Sequence, residues 1–424
     1  MQFYNLKHPQ QQVTFAQAVK TGLGRDRGLF FPVSIPVLSD VDELLQMPFV
    51  ARSQAILGAW LGEELGKEMV ERMVERAFSF PVVTVKVDDN RWVLELFHGP
   101  TLAFKDFGAR FMAQCLAELG GDAKITILTA TSGDTGAAVA HAFHGLANIR
   151  VVVLYPDGKI SPLQEKLFCT LGGNVETIAV ACDFDGCQEL VKKAFVDEDV
   201  VANLQLNSAN SINVSRLLAQ ICYYFEAVAA SGSSSQVIAV PSGNFGNLTA
   251  GLLAQSMGLP VKRFIAATNA NDTVPRYLNS GIWAPKPTVP TSSNAMDVAE
   301  PSNWPRVETI LTKAGADSHE LQGIAVTEAE TQASIRQLHD LNYLGEPHAA
   351  VAAHALGHSL RPDEKGIFLA TAHPGKFREA VEAAIGANVE LPPALAEVAD
   401  KQVLSRKITP DFSILKEILL NSHA

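Results

Sequence analysis

The sequence predicts an α/β protein with two lobes built on parallel sheets, preceded by an N-terminal covering domain that is mostly helical. Three observations support this prediction. The chain has 424 residues, which is too many for one simple core. From residue 120 onward, short β-rich runs alternate with helical segments, which is typical of βαβ units. Before residue 90, apolar residues recur mainly at helical spacing.

We expect three regions in this chain. Residues 1–90 form the covering domain, and residues 125–216 form a small α/β domain. The remaining residues, 91–124 and 217–424, form a large domain. Residues 281–323 are rich in Pro, Ser and Asn and show little periodicity, so we expect a long surface excursion there.

The individual elements follow from local patterns. In the covering domain, the segment "VDELLQMPFVARSQAILGAWLGEEL" has helical spacing and "FPVVTVKV" alternates like a strand. The predicted later strands are "KITILTA", "RVVVLYP", "VETIAVA", "QVIAVP", "RFIAATNA" and "GIFLATA". Helical patterns follow most of them, for example "SPLQEKLFCTLGG" after the second and "GNLTAGLLAQSMG" after the fourth. The long segment "VSRLLAQICYYFEAVA" is also predicted to be helical.

Composition limits the class of protein. A formal net charge of -11 leaves no basic surplus, so we expect no nucleic-acid partner. No apolar run is long enough to span a bilayer and the N-terminus lacks a signal pattern, so we expect no membrane partner and a cytoplasmic location. Five scattered cysteines suit free thiols in a reducing compartment. No histidine cluster completes a zinc site, so no metal is expected.

The stretch "FHGPTLAFKDFG" places one lysine, Lys105, among aromatic and apolar residues. Such neighbours draw the side chain inward, and a buried lysine loses its proton more readily and becomes a nucleophile. The alternative is that Lys105 extends to solvent and pairs with Asp106. This stretch alone does not decide between the two, although His98 and Asp106 suit the task of holding the loop in place.

Three predicted strand ends carry polar residues that suit a ligand. After "KITILTA", the turn at Thr131, Ser132, Asp134 and Thr135 opens a helix and suits a carboxylate or phosphate, or simple N-capping. After "QVIAVP", the glycine-rich loop points backbone amides inward as an anion nest. After "GIFLA", Thr371 offers a hydroxyl that suits a heteroaromatic nitrogen or a turn cap. Ligands of open α/β sheets gather at such carboxyl ends.

Together, a shielded lysine, a phosphate nest, a carboxylate turn and a strand-end hydroxyl are the parts needed to hold pyridoxal 5'-phosphate. Lys105 would form the Schiff base with this cofactor, and the glycine-rich loop would hold its phosphate. Each part is ambiguous alone, and their combination favours a pyridoxal-phosphate enzyme over other α/β enzymes.

Long motifs in the chain resemble the threonine synthase family in its bacterial and fungal branch. They run in the same order over essentially the whole sequence: "LFHGPTLAFKDFG", "TATSGDTGAA", "YPDGKISPLQEKLF", "NSANSINVSRLLAQ", "PSGNFGNLTAG", "NDTVPRYL", "NWPRVE" and "TAHPGKF". The resemblance implies the fold type II, or tryptophan-synthase-β-like, architecture of pyridoxal-phosphate enzymes. It also implies the last step of threonine synthesis, in which O-phospho-L-homoserine and water give L-threonine and phosphate by γ-elimination and β-addition of water.

The resemblance also implies roles for particular residues. Lys105 matches the catalytic Schiff-base lysine, and Thr371 matches the partner of the cofactor's pyridine nitrogen. The family's cradle for the cofactor phosphate matches Gly243, Asn244, Phe245, Gly246 and Asn247. The family's substrate-binding positions match Thr131, Ser132, Asp134 and Thr135 for the carboxylate, and Asn210, Ser211 and Arg216 for the phosphate.

Four points stay open at this stage. Many members of the wider fold type II group have asparagine where Asp134 stands, and an ionised aspartate cannot donate a hydrogen bond as asparagine does. The alternative activity is that of a phosphohomoserine lyase, which would release 2-oxobutyrate, ammonia and phosphate. The family includes both monomers and homodimers, and Lys376 is expected at the surface or at the margin of the site.

Overall fold

The computed structural model describes residues 1–232, 236–314 and 320–421. Within these ranges the strands are β1 (Gln2–Asn5), β2 (Gln12–Thr14), β3 (Phe30–Pro32), β4 (Val83–Lys86), β5 (Arg91–Glu95), β6 (Ile125–Ala130), β7 (Ile149–Pro156), β8 (Val175–Val180), β9 (Gln205–Asn207), β10 (Gln236–Pro241), β11 (Val261–Thr268), β12 (Leu321–Ala325), β13 (Gly366–Ala370) and β14 (Arg406–Ile408). The helices are α1 (Phe15–Thr21), α2 (Val41–Gln46), α3 (Phe49–Leu65), α4 (Lys67–Ala77), α5 (Lys105–Leu119), α6 (Asp134–Phe143), α7 (Pro162–Cys169), α8 (Phe184–Ala194), α9 (Glu198–Asn203), α10 (Val214–Ser231), α11 (Gly246–Ser256), α12 (Thr273–Ser280), α13 (Trp304–Ala314), α14 (Glu328–Asp340), α15 (Pro347–Ser359), α16 (Arg378–Ile385), α17 (Pro393–Ala399) and α18 (Phe412–Asn421).

Two largely parallel sheets form the body of the protein. The larger sheet has the strand order β12-β11-β10-β13-β5-β4, and only its edge strand β4 runs antiparallel to its neighbour. The smaller sheet has the order β14-β8-β7-β6-β9 and is parallel throughout. The predicted α/β class with two parallel sheets is therefore confirmed.

The strand sequences explain this arrangement. Every residue of β10 is buried, as are nearly all residues of β7, because helices cover both faces of a parallel sheet. Several helices begin at side chains that cap them. Ser161 accepts a hydrogen bond from the backbone of α7 ahead of Pro162, and Asp183 does the same for α8.

The N-terminal region covers the side of the molecule on which α5 and α10 lie. Strands β2-β1-β3 form a small antiparallel sheet, and α3 and α4 pack into the main hydrophobic core. Arg52 of α3 forms an ion pair with Glu226 of α10, with 2.7 Å between Nη1 and Oε2. The predicted long helix is divided into α2 and α3 because Pro48 follows the end of α2 and disfavours the helical conformation of the residue before it.

The C-terminal residues belong to the smaller sheet, whereas the sequence pattern assigns them to the large domain. Strand β14 pairs in parallel with β8, and α18 packs against the apolar cluster around β7 and β8. At the other boundary, β4 lies in the larger sheet although it precedes residue 90. A three-residue strand such as β14 carries too little periodicity to be recognised in the sequence.

The predicted surface excursion over 281–323 is correct only for its first part. Residues 281–290 are exposed, but Ser293 and Met296 are buried, and α13 and β12 are regular elements. Polar side chains hold the buried part in place, because Asp297 accepts hydrogen bonds from Asn269 and from Thr291. The polar composition of this segment resembles that of an exposed loop. These polar side chains are nevertheless buried, because they form hydrogen bonds with one another in the interior.

Two expectations concern the whole chain. The five cysteines are free thiols, as the sequence predicts. In the described ranges, no helix combines the length and the apolar character that a bilayer span requires.

Candidate active site

Lys105 is the first residue of α5, at the carboxyl end of the larger sheet. The loop before it is tied to the segment that follows β13. The backbone N–H of Phe104 donates to the carbonyl of Thr371 at 2.9 Å, and that of His373 donates to the carbonyl of Leu102 at 3.0 Å. These bonds bring Lys105 and Thr371 to the same edge of the sheet, although they are far apart in the sequence.

Lys105 has the properties of a nucleophilic amine. Burial lowers its pKa from the ordinary value of 10.5 to about 8. The Asp134 carboxylate opposes this shift, whereas the cations Arg216 and Lys376 add to it. An amine with a pKa near 8 is partly neutral at physiological pH, so it can attack a carbonyl carbon and can also carry a proton. Lys105 is half-buried, which agrees in part with the interior environment that the sequence predicts for it.

Asp106 braces the lysine loop instead of pairing with Lys105. Its buried carboxylate accepts hydrogen bonds from the backbone N–H of Thr101 at 2.9 Å and from its hydroxyl at 2.6 Å. Burial raises the pKa of Asp106 to about 6, although the Thr101 bonds oppose the shift. A Cβ atom at Gly99 would lie 2.4 Å from Oδ2 of Asp106, so only glycine fits there. His98 pairs with Glu95, with 2.7 Å between Nε2 and Oε2.

The glycine-rich loop at the end of β10 has a buried donor without a partner. The side-chain oxygen of Asn247 accepts hydrogen bonds from the hydroxyls of Tyr223 at 2.6 Å and Tyr224 at 2.7 Å. These bonds fix the orientation of the amide, and its Nδ2 has no partner among the residues that the structure describes. A buried unpaired amide N–H is unfavourable unless a ligand accepts from it, so the loop suits an anionic group.

Other residues give this loop its shape. Phe245 has a φ of 61°, a left-handed conformation that turns the chain into α11. A Cβ atom at Gly243 would lie 2.7 Å from the Cα of Met296, because the buried part of the excursion closes over the loop. Asn244 donates to Ser211 at 3.2 Å and accepts from the backbone of Ser302 at 2.6 Å. Its side chain therefore joins neighbouring loops, and its backbone carbonyl accepts hydrogen bonds from the backbone and side chain of Asn303.

The turn before α6 is organised by Thr131. Its hydroxyl accepts hydrogen bonds from the backbone N–H groups of Gly133 at 3.0 Å and Gly136 at 2.8 Å. Gly133 has a φ of 144°, a conformation that other residues rarely adopt. Because the Thr131 hydroxyl is engaged in the turn, the side chains left for a ligand are those of Ser132, which is exposed, and Thr135, which is half-buried.

Asp134, the first residue of α6, forms an ion pair with Lys376. The Nζ and Oδ1 atoms lie 2.5 Å apart, and the lysine side chain is completely buried. Burial alone would raise the pKa of Asp134, but Lys376 and Lys105 outweigh that effect and hold it below its ordinary value. Lys376 was expected at the surface or at the margin of the site, and the burial of its side chain excludes the surface. No local pattern could reveal this pair, because its members come from different sheets.

Arg216 lies in the first turn of α10 and is almost fully buried. Its Nη1 donates to the carbonyl of Ala209 at 2.5 Å, whereas its Nε has no partner within the described part of the chain. Burial lowers its pKa to about 10, which still leaves the guanidinium charged. The helices α5 and α10 approach closely at Gly108, where a Cβ atom would lie 3.1 Å from Arg216. A buried cation with a free donor suits an anionic ligand.

The loop before Arg216 contributes polar atoms on the same side. Ser211 bonds to Asn244 of the glycine-rich loop, and Asn210 lies 3.5 Å from the hydroxyl of Thr129 at the end of β6. Within residues 1–232, 236–314 and 320–421, the buried hydroxyl of Ser208 has no partner. Sequence reasoning missed Ser208, since a serine in a polar loop carries no distinctive signal. Its position beside Asn210 and Ser211 makes it a further candidate for ligand binding.

Comparison with known proteins identifies the family. The model of pyridoxal-phosphate dependent enzymes matches residues 84–371, and models of the threonine synthase N terminus and C-terminal region match residues 2–78 and 349–419. The chain is 58% identical to threonine synthase from Haemophilus influenzae over the full length of both proteins. The chain belongs to the threonine synthase family. It is 59% identical to the threonine synthase of Escherichia coli over 99% of this chain and 100% of that protein.

Solved structures of threonine synthases agree with this assignment. The crystal structure from Escherichia coli superposes with a TM-score of 0.94 at 58% identity and covers 100% of both chains. The pyridoxal-phosphate-bound threonine synthase from Brucella melitensis has a TM-score of 0.92 at 33% identity, covering 99% of this chain and 98% of that one. The predicted fold type II architecture, the cofactor and the threonine synthase activity are confirmed.

Proposed function

We propose that the enzyme converts O-phospho-L-homoserine and water to L-threonine and phosphate, with Lys105 as the catalytic residue. The observation that carries this proposal is that the charge acting on the Lys105 amine includes a buried cation, Arg216, whose Nε lacks a partner among the described residues. The proposal also includes a cytoplasmic location and a monomeric or homodimeric enzyme, for both of which the support is the resemblance and the composition.

The residues present fit pyridoxal phosphate. The unpaired Nδ2 of Asn247 and the backbone amides of 243–247 suit the cofactor phosphate. Lys105 would hold the cofactor covalently, and Thr371 would face its pyridine nitrogen with a neutral hydroxyl. When bound, the cofactor supplies an electron sink for carbanions formed on the substrate. A hydroxyl does not protonate that nitrogen as a carboxylic acid would. The cofactor would therefore withdraw electrons from the substrate less strongly.

Lys105 is proposed to move protons during the reaction. Once the substrate amine has taken its place, the lysine amine is free. With a pKa of about 8, it would accept a proton from the α-carbon, pass that proton to another atom of the bound substrate and cofactor, and only then accept one from the β-carbon, because an amine takes up one proton at a time. Buried surroundings keep bulk water from competing for these protons.

Two anion sites orient the substrate at its ends. Arg216, Asn210 and Ser211 suit the phosphate group, because a guanidinium binds phosphate oxygens with parallel hydrogen bonds. Ser132 and Thr135, with the amides at the start of α6, suit the carboxylate. Holding both ends places the α- and β-carbons beside Lys105, and such positioning contributes much of the rate enhancement of an enzyme.

Product analysis tests the proposed reaction. The purified enzyme is mixed with O-phospho-L-homoserine, and phosphate, threonine and 2-oxobutyrate are measured in one sample. Equal amounts of phosphate and L-threonine are expected. Phosphate accompanied by 2-oxobutyrate would contradict the synthase reaction and indicate the phosphohomoserine lyase. An absence of product, in protein that still binds pyridoxal phosphate, would contradict the proposed substrate.

Replacing Asn247 by aspartate tests the phosphate cradle. The variant keeps the size of the side chain but exchanges the unpaired donor for a carboxylate oxygen. We expect the dissociation constant for pyridoxal phosphate to rise at least about tenfold, since one charge-assisted hydrogen bond contributes about 1.5 kcal/mol or more. The constant is measured by titrating the cofactor-free protein and recording visible absorption. The matched control, Asn203→Asp on the exposed end of α9, should bind normally, and equal constants for all three proteins would exclude the role of Asn247.

The pH dependence of cofactor attachment tests Lys105 directly. Because burial lowers the pKa of Lys105 to about 8, its amine is mostly protonated below this pH and mostly neutral above it. The rate at which the cofactor-free protein forms the lysine-bound cofactor should rise with pH through about 8 and then level off. Stopped-flow absorbance measures this rate. A midpoint near 10.5, the ordinary value for lysine, would contradict the buried state of the amine.

A further inference from the structure

The turn at the start of α6 carries a negative charge of its own, which the proposed binding of an anionic carboxylate there does not explain. It is the proposed site for the substrate carboxylate, yet it begins with Asp134, whose pKa lies below its ordinary value. An ionised carboxylate at a helix N-terminus occupies the favourable potential there and repels a second anion. A neighbouring cation is therefore needed before the turn can accept an anionic substrate.

Lys376 is placed to supply that cation. Its side chain is completely buried, with Nζ lying 2.5 Å from Oδ1 of Asp134. Nζ also donates to the carbonyl of Thr101 at 2.8 Å. Thr101 in turn holds the carboxylate of Asp106, the residue after Lys105. A continuous series of contacts thus runs from the start of α6 to the lysine loop.

The ion pair also borders the reactive amine. The charged groups that act on Lys105 are Asp134 of α6, Arg216 of α10 and Lys376 after β13. Asp134 favours the charged form of Lys105 and Lys376 disfavours it. Further titratable groups belong to this set. Lys376 acts on Asp106, His141 and His373. His348 of α15 acts on Asp134. The two members of the ion pair therefore have opposite effects on the pKa of Lys105, and the effect of Asp134 is the larger.

We propose that Lys376 is a positioning residue whose ammonium group neutralises Asp134, so that the turn at the start of α6 accepts the substrate carboxylate and Lys105 keeps a neutral amine. The inference rests on the proposed carboxylate role of this turn and adds a specificity-determining pair to it. If the role of Lys376 were purely mechanical, it would link the two sheets. Its charge would then affect neither substrate binding nor the pKa of Lys105.

A double-mutant cycle distinguishes these roles. The variants are Lys376→Met, Asp134→Asn and the double variant, each studied as the full-length enzyme. The matched control is the exposed pair Lys407 and Asp157 of the smaller sheet, at 3.0 Å, changed to Met and Asn. Two quantities are measured for each protein: kcat and KM for O-phospho-L-homoserine, and the midpoint pH for attachment of pyridoxal phosphate to the cofactor-free protein.

The expected results have a definite sign. Lys376→Met leaves Asp134 uncompensated, so KM should rise roughly tenfold or more and the midpoint pH should move up by about one unit. Asp134→Asn should move the midpoint down by a similar amount. The double variant should return both quantities most of the way to wild type, and the control pair should change neither. A double variant no better than Lys376→Met would overturn the proposal.

Two further measurements keep the test decisive. If Lys376→Met does not fold, Asp134→Asn alone still serves, and an unchanged midpoint pH would exclude the electrostatic role. If Ser132→Ala and Thr135→Ala both leave KM unchanged, the carboxylate role of the turn is wrong and the specificity part of the inference fails with it. The midpoint pH is measured without substrate. It therefore still tests the effect of the ion pair on Lys105 when the carboxylate role of the turn is wrong.

Discussion

Replacing Lys105 by alanine is expected to reduce kcat by at least about 1,000-fold and to remove the visible absorption of the lysine-bound cofactor. The lysine amine is both the point of covalent attachment and the group that moves protons, and a positioned general base alone contributes about 100- to 10,000-fold. Rates of phosphate release and absorption spectra measure the two effects. They should be lost together, because the same amine performs both functions.

The control for this variant is Lys192→Ala, which removes an exposed lysine from α8. It should have wild-type kcat and an unchanged spectrum. Should Lys105→Ala retain kcat within a few-fold of wild type, the central role of this lysine would be wrong. Should the absorption vanish while turnover persisted, another group would have to move the protons.

Replacing Arg216 by alanine is expected to raise KM for O-phospho-L-homoserine by roughly 100-fold. Two charge-assisted hydrogen bonds to phosphate, each contributing about 1.5 kcal/mol, account for that factor. The effect should fall mainly on KM, because Arg216 is proposed to bind the phosphate group before and during the reaction. Steady-state kinetics measure it, with the dissociation constant for pyridoxal phosphate as a check that the cofactor site is intact.

Arg216→Lys provides a graded comparison, since it keeps the charge but loses the planar pair of donors. Its KM should lie between those of wild type and Arg216→Ala. The exposed residue Arg72 of α4 is the matched control, and Arg72→Ala should leave KM unchanged. An unchanged KM in Arg216→Ala would exclude its role in substrate binding, and weaker cofactor binding with normal KM would assign it to the cofactor instead.

The parts of the site that could be predicted have local signals. Lys105 stands among aromatic residues, and the glycine-rich loop 243–247 follows a strongly apolar strand. Each feature restricts the types of residue around it. A lysine amine is shielded from water by apolar neighbours, and a backbone that passes close to a ligand or another segment needs glycine. The alternation of strands and helices likewise predicted both parallel sheets, since βαβ units repeat a recognisable pattern.

The parts that could not be predicted depend on contacts between distant segments. Lys376 follows β13 in the larger sheet and Asp134 begins α6 beside the smaller one, so neither neighbourhood reveals the other. The unpaired hydroxyl of Ser208 becomes notable only once its burial is known. The buried part of the excursion has a loop-like composition because its polar side chains bond to one another.

The most direct test of the central claim is the reaction in water enriched in oxygen-18. In the proposed reaction the bond between the γ-carbon and oxygen breaks and water adds at the β-carbon. The enzyme should therefore give threonine with one labelled hydroxyl oxygen and phosphate without label, as measured by mass spectrometry. Labelled phosphate with unlabelled homoserine would mean that the phosphorus–oxygen bond is hydrolysed, and it would contradict both the reaction and the role of Lys105.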